Sequence, residues 1–244
     1  VPKLIFCEDF YSIQGEGKSL GAPSVFLRLA GCNLRCSGFS YKHPETGEHL
    51  GCDTKHVWMK GERTQGEAII ARWEASGWLA FLNKGAHLVI TGGEPLIQQS
   101  ALIEFLALLD KKTSVPAYVE VETNATIKFE DAFLARVNQV NASPKLRHSG
   151  ELDAYKSDVI SQLAASPKTA FKFVVRGGED FEELEQRYIN TFEILPKNVW
   201  LMPEGGTKKQ LDARAPEVIE LAKSHAMNYS TRLHLSVWDE ATGV

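Results

Sequence analysis

Apolar positions along this chain fall into short runs that alternate with segments of helical spacing. Strand-like runs, rich in β-branched or aromatic residues, occupy Val25 to Leu29, His87 to Ile90, Ala117 to Val121, Gln139 to Asn141, Ala170 to Val175, Val199 to Met202 and Arg232 to Val237. Several are nearly continuously apolar, as expected of parallel strands covered on both faces. Between them the period lengthens. Thr64 followed by Glu67 is a capping-box pattern, and the segment it opens runs through Ile69, Ile70 and Trp73 to a stop at Gly77. Leu102, Phe105, Leu106 and Leu109 repeat at helical spacing ahead of Lys111 and Lys112, whose charges suit a helix C-terminus. A further helix is predicted over 217–226, starting near Pro216.

This alternation predicts parallel βα units and an α/β fold. About six or seven units can be counted, short of the roughly eight of a closed barrel. The main irregular stretches are 37–60, 144–151 and 203–207. In parallel barrels the loops at the C-terminal ends of strands build the site, so these stretches carry most of the functional weight.

A length of 244 residues suits one well-buried core, so a single domain over 1–244 is expected. The formal charge of -4 supplies no basic field for condensing on phosphates, which argues against a protein that holds nucleic acid. No apolar run approaches the roughly 20 residues needed to span a bilayer, and the N-terminus lacks a charged-then-apolar signal segment, so a cytoplasmic protein is expected. Four cysteines, three of them clustered, read better as metal or redox ligands than as disulfides. Cys7, the fourth, lies in an apolar run and is expected to be a small buried side chain.

The clustered three are Cys32, Cys36 and Cys52, which follow a strand-like run ending in Arg28-Leu29-Ala30-Gly31; a Thr91-Gly92-Gly93-Glu94-Pro95 loop lies further along. A cubane iron-sulfur cluster holds about four irons, usually one thiolate to each, so three thiolates leave one coordination site free for a ligand. The set resembles the radical S-adenosylmethionine (SAM) superfamily. Within it, Gln14-Gly15-Glu16-Gly17, then Val25 through Cys32, then Cys52-Asp53-Thr54-Lys55-His56 are similar to the 7-carboxy-7-deazaguanine synthase family. The likeness extends through Ser143-Pro144-Lys145 and, more weakly, to Leu201-Met202-Pro203 and His234. Order and separation carry the assignment, because each short motif alone arises readily by chance.

The resemblance implies an incomplete, partly open α/β barrel of the radical SAM type, which fits the shortfall in βα units, with a cluster-binding loop over 31–60. It implies a 4Fe-4S cluster on Cys32, Cys36 and Cys52, SAM held by Gly51, Asp53, Gly93, Glu94, Ser143, Pro144 and Lys145, and Mg2+ at Thr54. The implied substrate is 6-carboxy-5,6,7,8-tetrahydropterin, held by Ile13, Gln14, Gly15, Glu16, Arg28, Thr91 and His234. Arg28 suits a carboxylate because its paired N–H donors match one, while Glu16 suits the amino and ring N–H groups. Hydrogen abstraction at substrate C6, ring contraction and loss of ammonia would give 7-carboxy-7-deazaguanine, the deazapurine precursor of queuosine. An external one-electron reductant of the flavodoxin or ferredoxin type and a homodimer are family expectations.

The cysteine motif departs from the usual radical SAM spacing. Two residues normally separate the second and third cysteines; here fifteen lie between Cys36 and Cys52, an excess of thirteen. Loop lengthening costs little, since doubling a loop adds about 0.6 kcal/mol of closure entropy. Gly51 also stands where the common motif has an aromatic residue that touches adenine, and Phe39 or Tyr41 of the inserted loop is expected to supply that contact. Two competing readings remain at this point. Three cysteines with His43 or His49 form an acceptable tetrahedral zinc set for a non-catalytic binding module. A short radical SAM chain can also be a glycyl-radical-enzyme activase, although a backbone glycine needs no charged clamp such as Gln14, Glu16, Arg28 and the Asp53-Thr54 pair.

Overall fold

The computed structural model describes residues 2–43 and 45–239. Its strands are β1 (Lys3–Ile13), β2 (Pro23–Leu29), β3 (Tyr41–Lys42), β4 (His49–Gly51), β5 (Glu62–Gln65), β6 (His87–Gly92), β7 (Tyr118–Thr123), β8 (Gln139–Ala142), β9 (Thr169–Val175), β10 (Val199–Pro203) and β11 (Asn228–Tyr229). The main sheet runs β11-β10-β9-β8-β7-β6-β2-β1-β5. From β11 to β2 every pairing is parallel, whereas β1 and β5 are added antiparallel beyond β2. Its edges, β5 and β11, do not meet, so the barrel is partial and open as expected.

Alternation along the strands separates core from site. On β2, Val25, Leu27 and Leu29 are fully buried in the main apolar core, while Phe26 and Arg28 face an inner cavity. The same division holds on β9, where Phe171 and Phe173 join the core and Lys172 lines the cavity. Ile69, Ile70 and Trp73 on helix Gly66–Ala75, with Leu102, Phe105, Leu106 and Leu109 on helix Gln99–Leu109, cover the outer face. Trp73 and Phe105 meet edge to face at 5.6 Å, and burying each such side chain is worth about 1.5–3 kcal/mol. The helices therefore stabilise one face of the sheet and leave the other free for chemistry.

Several local expectations need correction. The 232–237 run is no strand: helix Leu233–Trp238 stands there, and only Asn228–Tyr229 extends the sheet, beside Trp200 and Leu201. Short apolar runs of this kind fit either period, and here Leu235 is the position buried. Thr64 does not cap a helix, because it pairs with Leu4 in β5, and the helix begins at Gly66 without a side-chain cap. Its end was legible, since Gly77 adopts a left-handed φ of 76° and donates its N–H to the Glu74 carbonyl. The helix expected near Pro216 starts earlier, at Lys208, with the Thr207 hydroxyl accepting from Gln210 N. Pro216 sits inside it and forfeits one backbone bond. β1 was not foreseen. Cys7, on β1, is half-buried rather than buried, and burial still pushes its thiol up to about 11. The chain's last five residues, 240–244, lie outside the described residues.

Candidate active site

A cavity of about 350 Å³ opens on the inner face, at the C-terminal ends of the parallel strands. Cys32, Cys36 and Cys52 all line it. Cys32 follows β2, and its Sγ accepts from Leu34 N at 3.4 Å and from Asn124 Nδ2 at 3.8 Å. The Cys52 sulfur lies 3.5 Å from Thr54 Oγ1. Burial pushes the Cys32 thiol up and the Cys36 thiol up to about 12. Such thiols stay protonated beside apolar neighbours and become ligands when a metal centre takes their protons' place. Three sulfurs on one wall, one receiving N–H donors, fit a cubane that spreads its thiolates over separate irons. The zinc alternatives are otherwise engaged. His43 packs on His56 with centroids 5.2 Å apart, and His49 Nε2 meets the Ser37 carbonyl at 3.0 Å. Among the described residues no three His, Cys, Asp or Glu side chains gather as a single ion would require.

The two ends of the inserted loop close on each other. A β-carbon at Gly51 would fall 2.3 Å from the Cys36 carbonyl oxygen, and Gly51 has a left-handed φ of 74°. No aromatic side chain fits there, which accounts for the departure from the common motif. Inside the loop β3 and β4 form a hairpin, and Phe39 and Tyr41 reach the cavity. Ser40 is tied down by Glu204, whose Oε1 accepts from its N at 2.8 Å and its Oγ at 2.6 Å. Arg214 pairs with the same carboxylate. The 203–207 loop thereby fixes the insertion from the far side.

Gly93 lies against the cysteine loop, since a β-carbon there would fall 2.2 Å from the Gly31 carbonyl oxygen and 2.7 Å from Cys32 Cβ. Gly92 and Gly93 line the cavity, but Glu94 turns away from it. Its carboxylate is fully buried and accepts from Asn124 N at 2.7 Å, Leu96 N at 3.0 Å and Thr123 Oγ1 at 2.9 Å. Burial nevertheless pushes its pKa up to about 7. Glu94 thus ties the loop after β6 to the end of β7 rather than presenting a charge to a ligand. Pro144 also stays off the cavity wall, while its neighbours Ser143 and Lys145 line it, joined by a bond of 3.0 Å from Nζ to Oγ.

A charged network lines the same cavity. Lys172 Nζ lies 2.7 Å from Glu16 Oε2 and 2.9 Å from Glu122 Oε2. Arg232 Nε binds Glu16 Oε1 at 3.0 Å, and its Nη2 pairs with Asp53, the residue after Cys52. Against the cost of burial, Lys172 and Arg232 hold Glu16 well below the usual carboxylate range. Burial outweighs Lys172 at Glu122, whose pKa is raised. His234 lies near this network and is kept neutral by burial and then by Arg232. Gln14 Nε2 donates to Glu122 at 3.1 Å, and Arg28 Nε pairs with Glu8 at 2.7 Å.

Ile13, Gln14, Gly15, Glu16, Arg28, Gly51, Asp53, Thr54, Thr91, Gly93, Ser143, Lys145 and His234 thus come together around one cavity with the three cysteines. Sequence reasoning passed over Lys172, Glu122, Asn124 and Arg232. Lys172 carried a signal, because a lone charge inside an otherwise apolar strand is rarely buried without a partner. Arg232 was read only as the start of a strand, and nothing in its neighbours marks it.

An open α/β barrel whose inner cavity is lined by three thiols and a network of charges has the make-up of a radical SAM enzyme. No family model matches the chain. It is 36% identical to the 7-carboxy-7-deazaguanine synthase of Halobacterium salinarum, over 98% of this chain and 92% of that protein. With the synthase of Pyrobaculum aerophilum the identity is 34%, over 99% of this chain and 98% of that one. The solved structure of QueE from Escherichia coli shares the fold, with a TM-score of 0.63 at 23% identity and 95% of each chain covered. The chain belongs to the 7-carboxy-7-deazaguanine synthase family.

Proposed function

We propose that this chain, as one radical SAM domain, converts 6-carboxy-5,6,7,8-tetrahydropterin to 7-carboxy-7-deazaguanine with loss of ammonia, in queuosine and 7-deazapurine biosynthesis. The observation that carries the reading is the sharing of one cavity by three thiols and a wall of fixed charges. Cys32, Cys36 and Cys52 would hold the 4Fe-4S cluster, and the loop at Gly93 with Ser143 and Lys145 would hold SAM. When bound, this pair supplies the one-electron chemistry that removes a substrate hydrogen.

The chain's own residues bind and orient. Arg28 is steadied through its Nε by Glu8, which leaves its Nη1–Nη2 edge for the substrate carboxylate. Glu16 keeps lone pairs for the pterin amino and ring N–H groups, because Lys172 and Arg232 each use only one site of a carboxylate with about four. Those two cations also keep Glu16 ionised, so it stays an acceptor throughout turnover. Neutral His234 can donate from one ring nitrogen and accept at the other. Phe10 and Phe26, stacked at 4.7 Å, give a flat apolar wall beside Arg28 that keeps water from the ring.

Thr54 would contribute its hydroxyl to Mg2+, whose remaining ligands are water and substrate oxygens. Magnesium, when bound, supplies positive charge at the substrate carboxylate. A flavodoxin- or ferredoxin-type donor and a homodimer complete the proposal. A reduced cluster suits the cytoplasm, where thiols are kept reduced. The described residues include no helix long and apolar enough to cross a membrane. A backbone-glycine substrate would have no use for the Glu16–Lys172–Glu122 clamp, which disfavours a glycyl-radical-enzyme activase. The test is anaerobic iron-sulfide reconstitution, then incubation with SAM, reductant, magnesium and the carboxypterin. Mass analysis should find 7-carboxy-7-deazaguanine; SAM cleavage with the carboxypterin returned unchanged would overturn the reading.

A further inference from the structure

Cys36 has a φ of 45°, in the left-handed region that a cysteine adopts at a cost. Something must hold it there. The Cys36 N–H donates to Glu151 Oε1 at 2.6 Å, and the adjacent Arg35 N–H donates to the same oxygen. Successive backbone N–H groups that converge on one anion around a left-handed residue form a nest. Here the anion is a side chain reaching across from the loop after β8.

Glu151 is itself positioned for this. Its own N–H donates to Ser149 Oγ at 3.3 Å, and that hydroxyl donates to the Leu146 carbonyl at 2.7 Å. Although Glu151 stands at the N-cap of the short turn Leu152–Ala154, its carboxylate does not cap it. Two residues beyond Cys36 the contact continues: Gly38 N donates to Ser149 O at 2.9 Å, and a β-carbon at Gly38 would fall 1.9 Å from the His148 carbonyl oxygen. The cysteine loop therefore lies directly on the 146–151 segment, with the Glu151 carboxylate at its tightest bend.

We propose that Glu151 is a positioning residue for the iron-sulfur cluster: its Oε1 completes the backbone nest at Arg35 and Cys36 and so aims the second thiol of the widely spaced motif. The inference rests on the reading of the three cysteines as cluster ligands. A negative charge beside a thiolate is unfavourable, so the role lies in the acceptor geometry rather than in the charge. Because both bonds fall on one oxygen, a glutamine amide can keep them.

The test compares wild type with Glu151→Ala, Glu151→Gln and Glu151→Asp, reconstituted anaerobically. Iron per chain and the rate of cluster loss to a chelator are measured, with amide hydrogen exchange of the 33–38 segment in the metal-free proteins. Wild type and Glu151→Gln should match in all three. Glu151→Ala should lose its cluster about tenfold faster and show an unprotected segment, as expected when two backbone N–H groups lose their shared acceptor. Glu151→Asp, which withdraws the acceptor by one methylene, should fall between. Should Glu151→Ala not fold, the other two still decide: Asp like wild type with Gln losing its cluster quickly means charge, and overturns the proposal. Iron retention by Glu151→Ala at the wild-type rate also overturns it. A wild type that takes up no iron at all instead removes the underlying reading of the cysteines.

Discussion

Lys172→Met removes the one cation that touches both Glu16 and Glu122, at nearly constant volume. Its ammonium lies 2.7 and 2.9 Å from those carboxylates, with side-chain exposures of 7% for Lys172, 19% for Glu16 and 18% for Glu122. Removing one partner of such a buried pair leaves an uncompensated charge, at about 3–5 kcal/mol. For a chain of this size each kcal/mol lowers Tm by about 2–4 °C, so the variant should melt about 6–20 °C lower. Adding Glu122→Gln removes the carboxylate left without a cation, and the double variant should recover about 1–3 kcal/mol as coupling. The pH dependence has a definite sign. Carboxylates deprived of Lys172 acquire a raised folded pKa, so their stabilising contribution is present at low pH and lost as pH rises through that value. The deficit should therefore be smallest near about pH 5 and grow towards about pH 8. Circular dichroism melts of the metal-free proteins measure all of this. A Lys172→Met melting point within about 1 °C of wild type at neutral pH would refute the charged clamp.

Burial raises Glu94 from 4.5 to about 7, so its contribution to stability is complete below the unfolded value and is lost as pH rises through about 7. The melting-point difference between wild type and Glu94→Gln should accordingly fall across that range, and a flat difference by calorimetry contradicts it. At least one of Phe39→Ala and Tyr41→Ala should weaken SAM binding by about tenfold, as loss of an aromatic contact with a base does. Unchanged affinity in both, measured by titration calorimetry, removes the inserted loop from the SAM site. Thr54→Ala should weaken magnesium-dependent turnover while sparing the iron content; an identical magnesium response refutes that role.

The repeating units were legible because strands β2, β6, β9 and β10 carry apolar residues on the face that packs against helices. The polar inner face was less visible. Glu120 and Glu122 interrupt β7 and Lys172 interrupts β9, and their partners come from other strands or from the segment just after β1. The cysteines, Gln14, Glu16 and Arg28 could be found because they sit in contiguous motifs, whereas Arg232 reaches Glu16 from 216 positions away. The departure at Gly51 was visible against the common motif, but only packing against Cys36 explains it. The end of the chain failed for a local reason: a six-residue run with one buried leucine does not distinguish strand from helix. The inward turn of the Glu94 carboxylate was not legible, because a loop motif does not tell which way a side chain turns.

The most direct test of the account is the iron and sulfide content of oxygen-protected protein, beside Cys52→Ala. Wild type should carry about four irons and four sulfides per chain, and the variant should lose most of them. Iron-free wild type, or a full complement retained by Cys52→Ala, would contradict the assembly of one cluster across the long insertion.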